Sequence, residues 1–459
     1  MRIDFSMCLD RGLQSTTWYL YLDSRVIWMV DTRQNISRIT MPTKDPLVNL
    51  SNNKVSSKIY LGNSFDVLQE LEPCSVHTVV TSPPYWGLRE YGTAEWQDGD
   101  PTCDHVAPPR GGQNPKTAAK QLTNHGTLSY QYTGTCKKCG AIRIDYQLGT
   151  ELQPEEYVDN IVSLFREIWR VLREDGTVWL NLGDSYNGSG GAGGDYNEGG
   201  LKENQPRFLG RNADNLKPKD LVGIPWRVAL ALQADRWFLR SDIIWIKPNP
   251  MVEGGAIDRP TRAHEYVFLL SKNGSYSYDL DATKVPSKEG GFRNIHTGWI
   301  IPTRPFKGAH FATMPPRLAE LCIMAGTPER GVCVDCNAPW KRVKANQWRP
   351  TCDCKTEDLP MWVNYPRSEP PDDASDEIID KYNRDCINAR NIQESLLKEY
   401  ALIRTKPATV LDPFSGAATT GVMSARLGRN YVGIELNPKY IELSRERLIP
   451  EIGQTRIFY

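Results

Sequence analysis

Apolar positions along the chain follow two rhythms. Short runs such as VHTVVTS, TVWLNLGDSY, FLRSDIIWIK, RAHEYVFLLSK, ATVLD and NYVGIELN are β-branched and aromatic, of strand length, and bounded by polar or turn-forming residues. Between them the spacing turns helical. Tyr157, Ile161, Leu164, Phe165, Ile168 and Leu172 recur on one helical face, with Pro154 near the start and Gly176 past the end as punctuation. SKIYLGNSFDVLQEL reads as strand, tight turn and helix. KDLVGIPWRVALALQ reads as a helix interrupted near Pro225, and the last segment as strand–helix–strand–helix. Strands alternating with helices predict a doubly wound α/β sheet.

Three stretches break the rhythm. Residues 93–148 are polar and rich in Gly, Pro and Thr; residues 187–215 open on NGSGGAGG and read as a mobile loop; residues 328–395 include the acidic RSEPPDDASDEIID. A chain of 459 residues exceeds one ordinary core, so one large domain with insertions, or two to three domains, is expected. The composition, 40% hydrophobic and 24% charged, is that of a globular protein, and 55 basic against 55 acidic residues give no net charge. Any surface for nucleic acid must therefore be local. No run of about 18 apolar residues suggests a membrane span. TTWYLYLDSRVIWMVD lacks the basic start and cleavage site of a secretory signal, so a cytoplasmic location is expected. Met41 begins a more typical polar leader, and the first forty residues are expected to be dispensable.

The eleven cysteines are not scattered. Cys103 and His105 form C-x-H, and Cys136 and Cys139 form C-x-x-C. Later, Cys333 and Cys336 lie in CVDC, and Cys352 and Cys354 in CDC. Each set of four suits a tetrahedral Zn²⁺, with His125 a rival ligand in the first. Disulfides are the alternative, disfavoured inside a cell. Cys8, Cys74, Cys322 and Cys386 read as ordinary thiols. Residues 101–145 and 330–355 each carry six Lys or Arg against two Asp, and the second stretch adds Trp340 and Trp348. Both are candidate DNA-binding modules, or insertions that the metal merely folds.

Two motifs carry chemistry. In TSPPYWGLREYG, Thr81 to Gly92, the two prolines end a strand, but that does not account for Ser before them and Tyr-Trp after. In VLDPFSGAATTG a strand gives way to a small-residue loop and a helix start, which lets a ligand approach the backbone at the carboxyl edge of a sheet. About twenty residues on, YVGIELN ends a strand on Glu435, whose carboxylate can accept both hydroxyls of a ribose.

Together, DPFSGAATTG, GIELNP and TSPPY resemble the amino-methyltransferases that modify exocyclic amines of DNA bases using S-adenosylmethionine. With S-P-P-Y ahead of the cofactor loop, the order resembles the circularly permuted β group of that family. GTVWLNLGDSY, DIIWIKPNP, DRPTRAHEYVFLLSK and GAHFATMPPRL are similar to further family blocks. The resemblance implies a Rossmann-like methyltransferase fold, and the two cysteine segments read as zinc-binding insertions in it. The expected division is a leader of unknown role at 1–55, a catalytic half at 56–98 and 149–327, insertions at 99–148 and at 328–400 (the latter with an acidic linker), and a cofactor-binding half at 401–459. It implies catalytic roles for Ser82, Pro83, Pro84 and Tyr85, and cofactor contacts from Asn63, Asp412, Phe414, Gly416, Thr419, Thr420, Glu435, Asn437, His310 and Ala312.

The amine of a base is a poor nucleophile because its lone pair is delocalised into the ring. Accepting both N–H hydrogens helps: Ser82 supplies one acceptor, the Pro83 carbonyl another, and Tyr85 stacks on a base taken out of the duplex. Catalysis is then positioning plus electrostatics, with no covalent nucleophile. Ser before Pro-Pro-Tyr resembles the N4-cytosine enzymes, whereas N6-adenine enzymes usually carry Asp or Asn there. Two departures stand out. Ala417-Ala418 replaces a usual glycine, where a methyl would crowd the cofactor, and Asn63 replaces a common Asp. Double-stranded DNA is the expected substrate, in a bacterial, archaeal or phage modification system, with a cognate restriction endonuclease as possible partner. The alternatives are N6-adenine methylation, methylation of RNA or protein, and a zinc-dependent DNA-binding protein on an inactive scaffold.

Overall fold

A computed structural model of the chain describes residues 19–22, 25–28, 45–107, 130–131, 134–188, 207–208, 212–250, 258–304, 313–354, 356, 358–366, 368–371 and 373–452. Met1–Met41 form a unit of their own, in which Tyr19–Leu22 pairs antiparallel with Arg25–Trp28. Pro42–Tyr459 form the second unit.

The second unit is built on a nine-stranded sheet. Its strands, in chain order, are β1 (Val48–Ser51), β2 (Ser56–Leu61), β3 (Val76–Thr81), β4 (Leu172–Leu182), β5 (Phe238–Ile246), β6 (His264–Ser271), β7 (Gly298–Ile300), β8 (Thr409–Asp412) and β9 (Asn430–Glu435). Their order across the sheet is β7-β5-β6-β4-β3-β8-β9-β2-β1. Neighbours run parallel except where β6 meets β4 and β5 and where β1 meets β2. The last two strands of the chain thus lie in the middle of the sheet. From β8 the chain crosses to β9 on one side; from β3 it crosses to β4 on the other. The β3–β8 seam is where the winding reverses, and a crevice opens there at the carboxyl ends of the strands.

Helices cover both faces. Val79, Val178, Leu180, Phe268, Leu270 and Leu411 pack with α1 (Ser64–Glu70), α2 (Pro154–Val171) and α3 (Ile224–Ala234). Their neighbours Val80, Trp179, Val267, Leu269 and Val410 point the other way, onto α4 (Pro316–Gly326). Every residue of β3 is buried, polar His77, Thr78 and Thr81 included, as a strand covered on both faces requires. Each fully buried Val or Leu contributes about 1.5–3 kcal/mol relative to exposure. A third cluster joins β1, β2 and β9 to α6 (Thr419–Arg426) and α7 (Pro438–Ile452).

Several expectations change. Pro225 sits in the first turn of α3 and starts the helix instead of interrupting it, since its missing N–H costs nothing there. The edge strand β1 falls inside 1–55, the stretch read as a leader. The acidic part of 328–400 holds a 27-residue helix, α5 (Asp376–Leu402), whose Ala389, Gln393, Leu396 and Tyr400 are buried. Leu396 and Tyr400 pack on Trp340 and Trp348 of the second cysteine segment.

That segment is fastened at the amino ends of the central strands. Buried His77 on β3 accepts the Thr409 N–H at Nδ1 (3.0 Å) and meets the Asn337 carbonyl at Nε2 (3.0 Å). Burial lowers the imidazole pKa to about 4, which keeps it neutral for both bonds. Arg342 adds a bidentate pair with Asp279, Nε to Oδ1 at 3.0 Å and Nη2 to Oδ2 at 2.9 Å, and lies 4.0 Å over the Trp348 ring.

Candidate active site

At the carboxyl ends of β3, β8 and β9 lies a cavity of about 630 Å³. Of the expected residues, Asn63, Ser82, Pro83, Pro84, Tyr85, Asp412, Phe414, Gly416, Thr419, Thr420 and Glu435 all line it. His310 and Ala312 lie outside the described residues, as do His125 and most of residues 187–215. Asn437 stands one residue from the lining. Its Nδ2 reaches the Tyr91 carbonyl at 3.4 Å and its Oδ1 accepts the Lys439 N–H at the start of α7.

One end of the cavity suits a nucleoside. Glu435 ends β9 with its carboxylate accepting two backbone N–H groups, Gly416 on Oε2 (2.7 Å) and Asn437 on Oε1 (2.8 Å). A carboxylate has about four acceptor positions, so two hydroxyls can still bind. Burial pushes the Glu435 pKa up to about 7, and that of Asp412, which accepts from Thr81 (2.7 Å) and the Phe414 N–H (3.1 Å), up to about 6. Tyr91 and Tyr440 meet edge to face, with centroids 6.2 Å apart, on the same wall. Asn63 caps α1 by accepting the Phe65 N–H at 2.9 Å. The loop's strained residue is Ala418, at φ 51°, which costs an Ala about 1 kcal/mol relative to Gly. Ala418 is buried in the cluster of Val422, Tyr431 and Leu448, so only Ala417 adds a methyl to the cavity wall.

The other end is built round S-P-P-Y. The Ser82 hydroxyl donates to the Tyr85 oxygen at 3.2 Å, which leaves its lone pairs to act as acceptors. The Tyr85 hydroxyl donates to Glu265 Oε2 at 2.7 Å, with Asn181 Oδ1 at 3.2 Å. Asn181 Nδ2 donates to the same Glu265 oxygen (3.1 Å), and Lys247 pairs with the other. Tyr157 donates to the Pro84 carbonyl at 2.9 Å, fixing the peptide next to the Pro83 carbonyl. Gly183 packs on the Tyr85 ring so closely that a Cβ there would come within 2.5 Å of Cε2. Tyr85 is therefore a fixed wall of the cavity. Asn181, Lys247, Glu265, Tyr91 and Tyr440 had no assigned role in the sequence.

The first cysteine segment adjoins this end. Thr93, Tyr146, Gln147 and Leu148 line the cavity, and buried Gln147 ties the loop by accepting the Tyr91 N–H (2.6 Å) and donating to the Arg89 carbonyl (2.7 Å). The ligand atoms of Cys103, His105, Cys136 and Cys139 lie within 4.8 Å of one another, and so do those of Cys333, Cys336, Cys352 and Cys354. Cys103 and Cys136 Sγ are 3.9 Å apart, Cys139 Sγ and His105 Nδ1 3.5 Å. Ligands at about 2.3 Å for S and 2.0–2.1 Å for N round a tetrahedral ion would stand about 3.5–3.8 Å apart.

Comparison with known proteins gives the family. The DNA methylase profile of the N6/N4 type matches residues 76–338 and 392–446. The chain is 34% identical over 394 residues to the type II methyltransferase M.Cfr9I of Citrobacter freundii, covering 85% of this chain and 87% of that protein. It is 32% identical over 405 residues to the type II methyltransferase M.SmaI of Serratia marcescens, covering 87% and 93%. The solved structure of PvuII DNA methyltransferase (cytosine-N4-specific) aligns over 90% of this chain and 95% of its own, at 15% identity and a TM-score of 0.45. The chain belongs to the N6/N4 DNA methylase family.

Proposed function

We propose that the chain transfers a methyl group from S-adenosylmethionine to the N4 amine of cytosine in duplex DNA. The observation that carries this is one cavity holding Glu435 at its nucleoside end and the Ser82 acceptor at its other end. When bound, the cofactor supplies a sulfonium methyl; the N–CH₃ bond forms as S–CH₃ breaks, the electron pair staying on sulfur. Glu435 would hold the ribose, Tyr91 and Tyr440 the adenine wall, and the loop from Asp412 to Thr420 the remainder. Ser82 and the Pro83 carbonyl accept the two amine hydrogens, which localises the nitrogen lone pair. A neutral hydroxyl at Ser82, where no acid stands, favours cytosine over adenine. Tritiated methyl from S-adenosylmethionine should enter duplex DNA. Label entering only RNA or protein contradicts the proposal.

The family arrangement supports reading the order, with the cofactor loop after S-P-P-Y, as a circular permutation. The two cysteine sets fit structural Zn²⁺, with about two ions expected per chain by elemental analysis. Zero zinc, with the cysteines recovered as disulfides, would refute that. The two segments differ in placement. The first borders the cavity, where duplex DNA must lie; the second is fastened at the opposite ends of β3 and β8, about 20 Å away at about 3.3 Å per residue. Target contacts beside the methylated base therefore fall to the first. The likeness to type II methyltransferases supports a restriction–modification setting, with an endonuclease of the same specificity as partner and the cytoplasm as location. Among the described residues, no helix is long and apolar enough to cross a membrane.

A further inference from the structure

When the base nitrogen has gained its methyl group it carries a positive charge, and one of its two protons must leave. Ser82 cannot keep that proton, because a protonated hydroxyl is a far stronger acid than a methylated amine. Something behind Ser82 must take it.

The wall behind Ser82 is an unbroken line of hydrogen bonds with one direction. Ser82 donates to Tyr85 at 3.2 Å, and Tyr85 donates to Glu265 Oε2 at 2.7 Å. Each of the first two groups has one hydrogen to pass on and a lone pair to receive one. Glu265 has only acceptors while ionised, so the line ends there. Its side chain keeps 15% of its surface exposed, and that of its partner Lys247 keeps 19%, which connects this end to water. The partners come from separate elements: Ser82 and Tyr85 from the loop after β3, Asn181 from β4, Lys247 from the segment after β5 and Glu265 from β6. Asn181 donates to Glu265 Oε2 and stands with its Oδ1 3.2 Å from the Tyr85 hydroxyl, beside the joint.

We infer that Glu265 accepts, through Tyr85 and Ser82, the proton released when the base amine is methylated. This rests on the functional reading above. The step balances. The amine N–H breaks as Ser82 Oγ gains a proton and gives its own to Tyr85. Tyr85 gives its own to Glu265, which becomes a neutral acid and later releases the proton to water. No electron changes hands. Glu265 acts through Tyr85, so it is a positioning and proton-accepting group and touches neither base nor cofactor. The charged and titratable groups around it are Lys247, Tyr85, the adjacent His264 and, beyond that, Arg262.

The test is single-turnover methyl transfer to duplex DNA at saturating S-adenosylmethionine, followed against pH, for the wild type, Glu265→Gln, Tyr85→Phe and the double variant. Glu265→Gln keeps an acceptor for Tyr85 but cannot hold the proton. Tyr85→Phe keeps the ring and the Glu265–Lys247 pair but breaks the line. Each single variant should lose at least tenfold in rate with cofactor affinity unchanged, and the double variant should lose no more than the worse single. The acid-side fall of the profile should be shallower in Glu265→Gln than in the wild type. Transfer by either single variant within threefold of wild type, or an unaltered acid limb in Glu265→Gln, overturns the relay while leaving the methyltransferase reading intact. A wild-type chain that binds the cofactor but methylates no DNA overturns that reading and the relay with it.

Discussion

Ser82→Ala should slow methyl transfer by about 10²-fold or more at saturating cofactor while leaving the affinity for S-adenosylmethionine within about twofold. Removing a hydrogen-bonding group aimed at developing charge typically costs about 10²–10³ in rate, or about 2.7–4 kcal/mol. The substitution is suited to the purpose because Ser82 does little else: its hydroxyl makes one bond, at 3.2 Å, to Tyr85, and Tyr85 keeps its shorter bond to Glu265 without it. Fold and cofactor pocket should survive. Rapid-quench transfer measures the rate, and calorimetry the affinity. A variant at wild-type speed would remove Ser82 from the chemistry.

Glu435→Ala should weaken S-adenosylmethionine binding by roughly 1–3 kcal/mol, about five- to 150-fold, because charged hydrogen bonds to the ribose are lost. The substitution also costs stability, because the N–H groups of Gly416 and Asn437 lose their acceptor. Glu435→Gln separates charge from shape, and pH supplies an independent check. The free carboxyl is held near pH 7 by burial, above its ordinary value of 4.5. Because the folded chain holds the proton more tightly than the unfolded one, the free protein should lose stability as pH rises from about 4.5 through 7. The ribose hydroxyls prefer the carboxylate, so cofactor affinity should run the opposite way, falling roughly tenfold per pH unit below 7. That slope should vanish in Glu435→Gln. An affinity independent of both the substitution and pH would place the nucleoside elsewhere.

The parts of this protein legible in the sequence are those written in local runs. The buried strands Val76–Thr81 and Asn430–Glu435, the loops that follow them, and the helix of Tyr157 and Phe165 each carry their own periodicity. The four-ligand sets were legible for the same reason, as short C-x-x-C and C-x-H spacings. Helix Asp376–Leu402 was not, because it buries only one narrow stripe: Ala389, Gln393, Leu396 and Tyr400, one of them polar, behind an acidic start. Edge strand Val48–Ser51 is four residues long and packs one face, too short to show a period. The Glu265 site was hidden for a different reason. Tyr85 and Glu265 are 180 positions apart and meet only because the sheet lays β6 beside β4 and β4 beside β3. Such a constellation belongs to the topology and leaves no local mark. Tyr91, Tyr440 and Lys247 are of the same kind.

The methylated nucleoside identifies the base on which the protein acts. Duplex DNA incubated with the chain and S-adenosylmethionine, then digested to nucleosides and analysed by mass spectrometry, should yield N4-methylcytosine, with activity falling steeply as salt is raised. N6-methyladenine as the sole methylated nucleoside would overturn the base assignment drawn from Ser82 and leave the fold and cofactor site standing; no methylated nucleoside from any DNA would contradict the account as a whole.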